Sequence, residues 1–177
     1  ENAELKNKVA IHSLEVEKLE AYNRQDNLIV HGIPSTYAQA AATTDNVASF
    51  EHSTETESLF LELCNSLELD IRPSDLSICH RLPKGKLQYA PIIIRFTTRK
   101  ARNVVLDARK KLKDLPSRKV FINEHLTQSA AKLSAEARKL LKEKKIMRTW
   151  TKHKQVMIKH THRPTRSVNT ADDLRHL

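Results

Sequence analysis

The first 23 residues carry apolar side chains at alternating spacings of four and three, the pattern of a helix with one apolar seam. Written as heptads, Leu5, His12 and Leu19 take position d, and Asn2, Val9, Val16 and Asn23 take position a. The histidine and two asparagines on the seam are polar interruptions, which in coiled coils cost stability and fix register and strand number. We therefore expect the end of a longer coiled coil, with a single amphipathic helix packed on the domain as the alternative. The expected oligomerisation residues are Leu5, Val9, His12, Val16 and Leu19.

Residues 25–126 alternate between strand-like and helical patterns. Three isoleucines in a row within 91–96 predict a central strand that is buried on both faces. The polar, alanine-rich residues 35–54 have no clear period and predict a mobile loop. The predicted order is a strand at 27–33, a helix from a capping box at Thr54 and Glu57 to about Leu69, strands at 76–82 and 91–96, a helix at 99–115, and a strand at 119–126. This β-α-β-β-α-β order predicts an α+β, ferredoxin-like fold, which is also the fold of the RNA-recognition motif.

The C-terminal residues predict a small, basic α/β domain. A helix over 127–145 should bury its apolar face, and two strands should flank a turn at 152–154. Thr170 is expected to cap a last short helix. The apolar residues of the first helix are Leu133, Ala137, Leu140 and Leu141. The expected domains are thus a coiled-coil end (1–24), an atypical RNA-recognition-motif domain (25–126) and a C-terminal domain (127–177).

Charge is distributed very unevenly along the chain. The formal net charge is +10, with 31 Lys/Arg and 21 Asp/Glu. Residues 1–70 hold 4 Lys/Arg and 13 Asp/Glu, whereas residues 71–177 hold 27 Lys/Arg and 8 Asp/Glu. A basic surplus of this size favours a nucleic-acid partner over an ordinary solvated surface.

Other chemistries find little support in the sequence. Cys64 and Cys79 form no Cys-x-x-Cys pair and imply no disulfide framework, which favours a reduced, intracellular setting. Three histidines after residue 150 lack cysteine partners at zinc spacing, and Gly85-Lys86 lacks the first glycine of a phosphate loop. No apolar run approaches the roughly 18 residues of a membrane span. We therefore expect no enzyme activity, metal, cofactor or membrane partner.

The predicted sheet lacks the usual aromatic platform for bases. RNA-recognition motifs stack bases on aromatic residues of their two central strands. Here Ile29 occupies the expected aromatic position of the first strand, and the third strand keeps only Arg95 and Phe96. Binding should therefore depend mainly on phosphates and show little sequence preference.

Two arginines on predicted strands are candidate phosphate ligands, since the planar guanidinium donates two parallel hydrogen bonds. Arg95 either faces the ligand or forms a salt bridge with Glu124. Arg81 either contacts the ligand or pairs with Asp70 or Asp75. The sequence leaves these alternatives open.

Further candidates lie on the second helix and in the C-terminal domain. Arg102, Arg109, Lys110 and Lys113 are expected on the solvent side of that helix, and we expect phosphate contacts from Arg109 and Lys110 only. Trp150 is either a core residue or a stacking residue, and its basic neighbours favour the stacking role.

Several segments in order resemble one protein family. They are the run from Tyr22 to Pro34 after the heptad helix, ICHRL at 78–82, PIIIRF at 91–96, ARK at 108–110 and EHLT at 124–127. The series resembles the first-open-reading-frame protein of non-LTR retrotransposons of the long interspersed element type, a transposase-22-like protein.

The resemblance implies a homotrimer that binds single-stranded RNA or DNA and acts as a nucleic-acid chaperone. It implies that the protein coats the element's RNA into a ribonucleoprotein, so we expect cytoplasmic particles, with the nucleus as an alternative. A different hypothesis is a coiled-coil scaffold or domesticated host protein whose ferredoxin-like domain binds another protein. The expected nucleic-acid-binding residues are Arg24, Arg81, Arg95, Arg109, Lys110, Arg138, Arg148, Trp150 and Lys152.

Overall fold

A computed structural model describes residues 2–35, 52–83, 85, 87–114, 119–161, 163–170 and 173–174. The chain is α+β, as the hydrophobic pattern predicts, and it divides into two compact units. The central unit is Asp26–Glu124, and the second unit combines Glu1–Gln25 with His125–Leu177. The second unit thus contains both the N-terminal helix and the C-terminal residues.

The element order within the central unit is the predicted one. In chain order the elements are α1 (Asn2–Asn23), β1 (Asn27–His31), α2 (Ser53–Ser66), β2 (Leu76–Arg81), β3 (Ile92–Phe96), α3 (Arg99–Ala108), β4 (Phe121–Glu124), α4 (Gln128–Lys142), β5 (Arg148–Lys152), β6 (Gln155–Lys159) and β7 (Arg166–Val168). The central unit has one antiparallel sheet in the order β2-β3-β1-β4, and the second unit has a sheet in the order β5-β6-β7.

Both helices of the central unit pack on one face of its sheet. In β3, Ile92, Ile94 and Phe96 are buried with these helices, whereas the two residues between them are only half-buried. Phe60 of α2 meets Phe96 edge to face, with ring centroids 6.1 Å apart and an interplanar angle of 74°, an arrangement favoured by the ring quadrupoles. The prediction that β3 is buried on both faces is wrong, because the described helices pack on the face of Ile92, Ile94 and Phe96, whereas Ile93 on the other face is only half-buried.

Some element ends differ from the predictions. The capping box of α2 lies at His52 and Glu55, two residues before the predicted Thr54 and Glu57, because the His52 side chain accepts from the Thr54 N–H. In return, the His52 N–H donates to Glu55 Oε2 at 3.2 Å. The rule that assigns the cap to a serine or threonine therefore misplaced the helix start. Most of the predicted loop 35–54 lies outside the described residues, as does the predicted helix end at 115. A 3₁₀ turn at Arg109–Asp114 follows α3.

In the second unit, α4 packs on one face of the three-stranded sheet. The β5–β6 hairpin is as predicted, and its turn residues His153 and Lys154 have φ angles of 49° and 65°, as a two-residue type I′ turn requires. β7 was not predicted, and Leu141, predicted to be buried, is exposed. The helix predicted after Thr170 lies mostly outside the described residues. The core of the unit consists of Leu133, Ala137, Ile146, Val156, Ile158, Val168 and Leu174.

α1 contacts the rest of its unit through its C-terminal half. Two hydroxyl groups near the start of α4, those of Thr127 and Ser129, donate to Glu17 Oε1. Arg24 Nη1 donates to the Leu126 carbonyl at 2.7 Å, and Lys154 donates to the Ala21 carbonyl. Nevertheless, none of the described residues of α1 is buried, so these contacts do not cover its apolar side chains.

Candidate nucleic-acid interface

The four-stranded sheet presents one face that its helices leave uncovered. Residues directly opposed on antiparallel strands project to the same face. Ile29 opposes Ile93 and Asn123, and His31 opposes Phe121. Arg95 opposes Ile78 across a β-bulge, and His80 opposes Ile93. We call this surface the open face, and its residues are Asn27, Ile29, His31, Ile78, His80, Ile93, Arg95, Phe121 and Asn123.

The register excludes one of the two alternatives for Arg95. Glu124 opposes Leu28, which is fully buried, so its carboxylate projects to the helix side of the sheet. There it pairs with Arg102 at 2.9 Å, and both side chains are buried. Of the two alternatives for Arg95, the salt bridge with Glu124 is therefore excluded, and the predicted solvent-side placement of Arg102 is wrong. Within the described parts of the chain, the Arg95 guanidinium has no ion pair or hydrogen bond.

Arg81 is held by backbone carbonyls instead of by either expected carboxylate. Its Nη1 donates to Ile33 O and Ala90 O, each at 2.8 Å, and its Nη2 donates to Pro34 O at 2.9 Å. Three N–H groups thus bind the segment after β1 and the segment before β3. Arg81 has a structural role that does not depend on a ligand.

Arg24 is likewise engaged within its own unit. Besides its bond to Leu126, Nη1 lies 3.3 Å from His125 Nε2, and Nη2 lies 3.4 Å from Glu20 Oε2. Burial lowers the pKa of His125 to about 4, with further contributions from the charges of Arg24 and Lys154. The imidazole is therefore neutral at pH 7 and accepts the arginine N–H.

The remaining helical candidates are more accessible. Lys110 is exposed and Arg109 half-buried, both in the 3₁₀ turn after α3. Arg138 is exposed on α4, where its Nη2 donates to Ser134 Oγ at 3.1 Å.

The sheet of the second unit has a basic face around the only tryptophan. Alternation along β5 places Arg148, Trp150 and Lys152 on the same side. Val156, Ile158 and Val168 belong to the core with α4, so this basic side is the opposite one. Trp150 is half-buried and outside that core. We call this surface the Trp150 face, and its residues are Arg148, Trp150, Lys152, Gln155, Met157, Lys159 and Ser167.

The structure adds Met157 and Lys159 to the candidate residues around Trp150 that the sequence predicts. They oppose Trp150 and Arg148, respectively. The period-two alternation of Gln155, Met157 and Lys159 against Val156 and Ile158 was a signal that could have revealed them.

The expected oligomerisation seam is exposed. Its leucines and valines are 57 to 69% exposed. Several of them line an open groove of about 910 Å³ between α1 and the first turn of α4, which Lys132 also lines. Contiguous apolar exposure of this kind is typical of interaction surfaces. The seam residues on the groove are Leu5, Val9, His12 and Val16.

The buried thiol of Cys64 is a poor nucleophile. Cys64 and Cys79 are both buried and form no disulfide with each other, and burial raises the pKa of Cys64 to about 12. A thiol with this pKa is almost entirely protonated at pH 7 and unreactive. Among the described residues, no three His, Cys, Asp or Glu side chains are grouped so as to hold a metal ion.

Neither the scan against protein-family models nor the search of curated proteins found a match for this chain. In the part of the chain that the structure describes, no helix is sufficiently long and apolar to cross a membrane.

Proposed function

We propose that this chain is a non-catalytic, single-stranded nucleic-acid-binding protein of the retrotransposon type, with an RNA-recognition-motif-like central unit of ferredoxin-like fold. It coats RNA into a cytoplasmic ribonucleoprotein and acts as a nucleic-acid chaperone. The strand order β2-β3-β1-β4 supports the assignment of the central unit.

The observation that carries the proposal is the Trp150 face. An aromatic ring flanked by cations is the combination that binds single strands without sequence preference, because every base has a π-face and every nucleotide a phosphate. Arg148, Lys152 and Lys159 share a face with Trp150. In the central unit, Arg95 adds a cation on the open face.

Low sequence specificity follows from the kinds of side chain on these faces. Arginine and lysine bind phosphates, which carry no sequence information. If Arg95 and the three cations of the Trp150 face each bind one phosphate, log affinity should fall against log salt with a slope of about −3.

We propose that the chain forms a homotrimer through the α1 seam. Full burial of one valine or leucine contributes about 1.5–3 kcal/mol, and four such residues of each protomer are exposed on the seam. The polar His12 at a d position reduces this gain and fixes the register. Sedimentation should show that replacing Val9 and Val16 by Asp yields monomers, whereas Ile11→Asp and Leu14→Asp, which lie off the seam, leave the oligomer intact.

A salt series tests nucleic-acid binding. Anisotropy of a labelled single-stranded oligonucleotide should report binding that weakens steeply with salt for every sequence tried. Arg95→Ala should reduce the slope by about 0.7. The matched control is Arg72→Ala, because Arg72 is an exposed arginine of the same unit that lies before β2 and is paired with Asp70. Equal salt slopes for the two variants would show that Arg95 does not bind a phosphate.

Intrinsic fluorescence gives an independent measurement. Because Trp150 is the only tryptophan, quenching by a bound strand reports stacking at this residue alone. Affinity without quenching would place the strand away from the Trp150 face.

A second candidate function is protein binding by a scaffold or domesticated host protein. The observation that favours it is the apolar content of the open face, where Ile78 and Phe121 are exposed. No oligonucleotide binding by the wild-type protein at low salt would favour this alternative.

A further inference from the structure

We propose that the open face binds a nucleobase at the β1–β4 edge, stacked on the cross-strand pair of His31 and Phe121. This inference rests on the proposed function and deepens it, since it adds a base contact to a protein that we expect to bind mainly phosphates. In RNA-recognition motifs the stacking residues lie on the two central strands, where this protein has Ile29 and Ile93. The proposed stacking pair lies at one edge of the sheet instead.

The first argument is the position of the two rings. His31 and Phe121 are directly opposed in the β1–β4 ladder, so their Cβ atoms are about 4.5–5.5 Å apart. Phe121 is 58% exposed. Exposing a phenyl ring to water is unfavourable, and a base stacked on the ring would remove that apolar surface from water. His31 is half-buried, and burial lowers the pKa of its imidazole, which is therefore neutral at pH 7.

The second argument is the set of side chains beside the pair. The next residue of β4 on this face is Asn123, which opposes Ile29 and is exposed. Its amide offers one acceptor and two donor positions to the edge of a base. Ile29 and Ile93 form an apolar floor between the pair and β2.

The third argument is charge, which favours a nucleic acid over a neutral protein surface. Arg95 lies on the same face, opposite Asn27, and Asn27 is four residues before His31 on β1. Arg95 is thus about 14 Å from the aromatic pair along the strand direction. None of the described residues on the open face is acidic, so a phosphate at Arg95 and a base at the edge can be held together.

The decisive experiment compares two strands that share a backbone. One is a short oligouridine, and the other has the same length and phosphates but abasic sugars. Wild-type protein should bind the oligouridine more tightly than the abasic strand. Phe121→Leu, which keeps apolar volume and removes the ring, should weaken oligouridine binding by about 5- to 150-fold, as loss of a base-stacking aromatic does. Its affinity for the abasic strand and its salt slope should not change.

Three controls make the result specific. Phe121→Tyr keeps a ring and should retain affinity. Ile78→Ala removes an exposed apolar side chain from the other end of the same face and should bind both strands like wild type. Circular dichroism should show a native fold for Phe121→Leu, because the Phe121 ring is exposed in the wild-type protein and does not contribute to the core.

The failure of this inference is distinguishable from the failure of the proposed function. If wild type binds oligouridine with a steep salt slope and Phe121→Leu binds it equally well, the stacking site is absent and the proposed function stands. If wild type binds neither strand at low salt, both proposals are overturned.

Discussion

The ion pair behind the four-stranded sheet allows a sharp stability prediction. Arg102 Nη2 on α3 donates to Glu124 Oε1 on β4 at 2.9 Å, and the two side chains are only 8% and 2% exposed. Arg102 Nη1 also donates to Asn103 Oδ1 at 3.0 Å. Removing either charge leaves the other buried without its ion-pair partner, which costs about 3–5 kcal/mol.

We expect Arg102→Met and Glu124→Leu each to destabilise the central unit by this amount. For a unit of this size, 1 kcal/mol shifts Tm by about 4–8 °C, so each variant should lose at least about 12 °C. The double variant removes both charges and retains apolar volume, and a buried pair replaced in this way is often as stable as the original. It should therefore be markedly more stable than either single variant.

Urea unfolding followed by circular dichroism measures these effects. The fluorescence of Trp150, in the second unit, reports that unit separately and should show an unchanged transition. Arg99→Met is the matched control, because Arg99 is an exposed arginine of the same helix and its contact with Asp26 is on the surface. We expect a cost of about 0–1 kcal/mol there. If the effects of the two single substitutions simply add in the double variant, the coupling does not exist and the reasoning is refuted.

Three further predictions concern stability. Gly32→Ala should be severely destabilising, because Gly32 has φ +89° and a Cβ atom there would lie 2.0 Å from the Lys119 carbonyl oxygen; a Tm close to wild type would contradict the observed approach of these backbones. His125 has a folded-state pKa of about 4, below its ordinary 6.5, so the unfolded chain takes up the proton first and stability should fall as pH drops from 6.5 to 4. His125→Gln should flatten the dependence of Tm on pH in this window, and a curve parallel to wild type would exclude His125 as its cause. Arg81→Lys should lower the free energy of unfolding by about 1–3 kcal/mol, since a compact ammonium lacks the two separate nitrogens with which the planar guanidinium reaches the three carbonyls; unchanged stability would show that these bonds are dispensable.

The candidate site was partly predictable. The charge asymmetry identified the region that holds the cations, and β5 was predicted with its tryptophan and basic residues. What the sequence could not provide was the partner of each cation. Arg81, Arg95 and Arg102 are all arginines near apolar residues, yet one binds carbonyls, one lies on the open face and one is buried with Glu124.

Local periodicity by itself determined the helix α1 with its seam, the order of strands and helices in the central unit, and the β5–β6 hairpin. These features depend on neighbours within a few residues, so a linear pattern contains them. The tertiary structure alone decided which face of the sheet the helices cover, that Glu124 meets Arg102, that His31 opposes Phe121, and that α1 joins the C-terminal residues. Each of these depends on pairing between residues far apart in the chain, and pairing register, unlike period, is set by the packing of the whole unit.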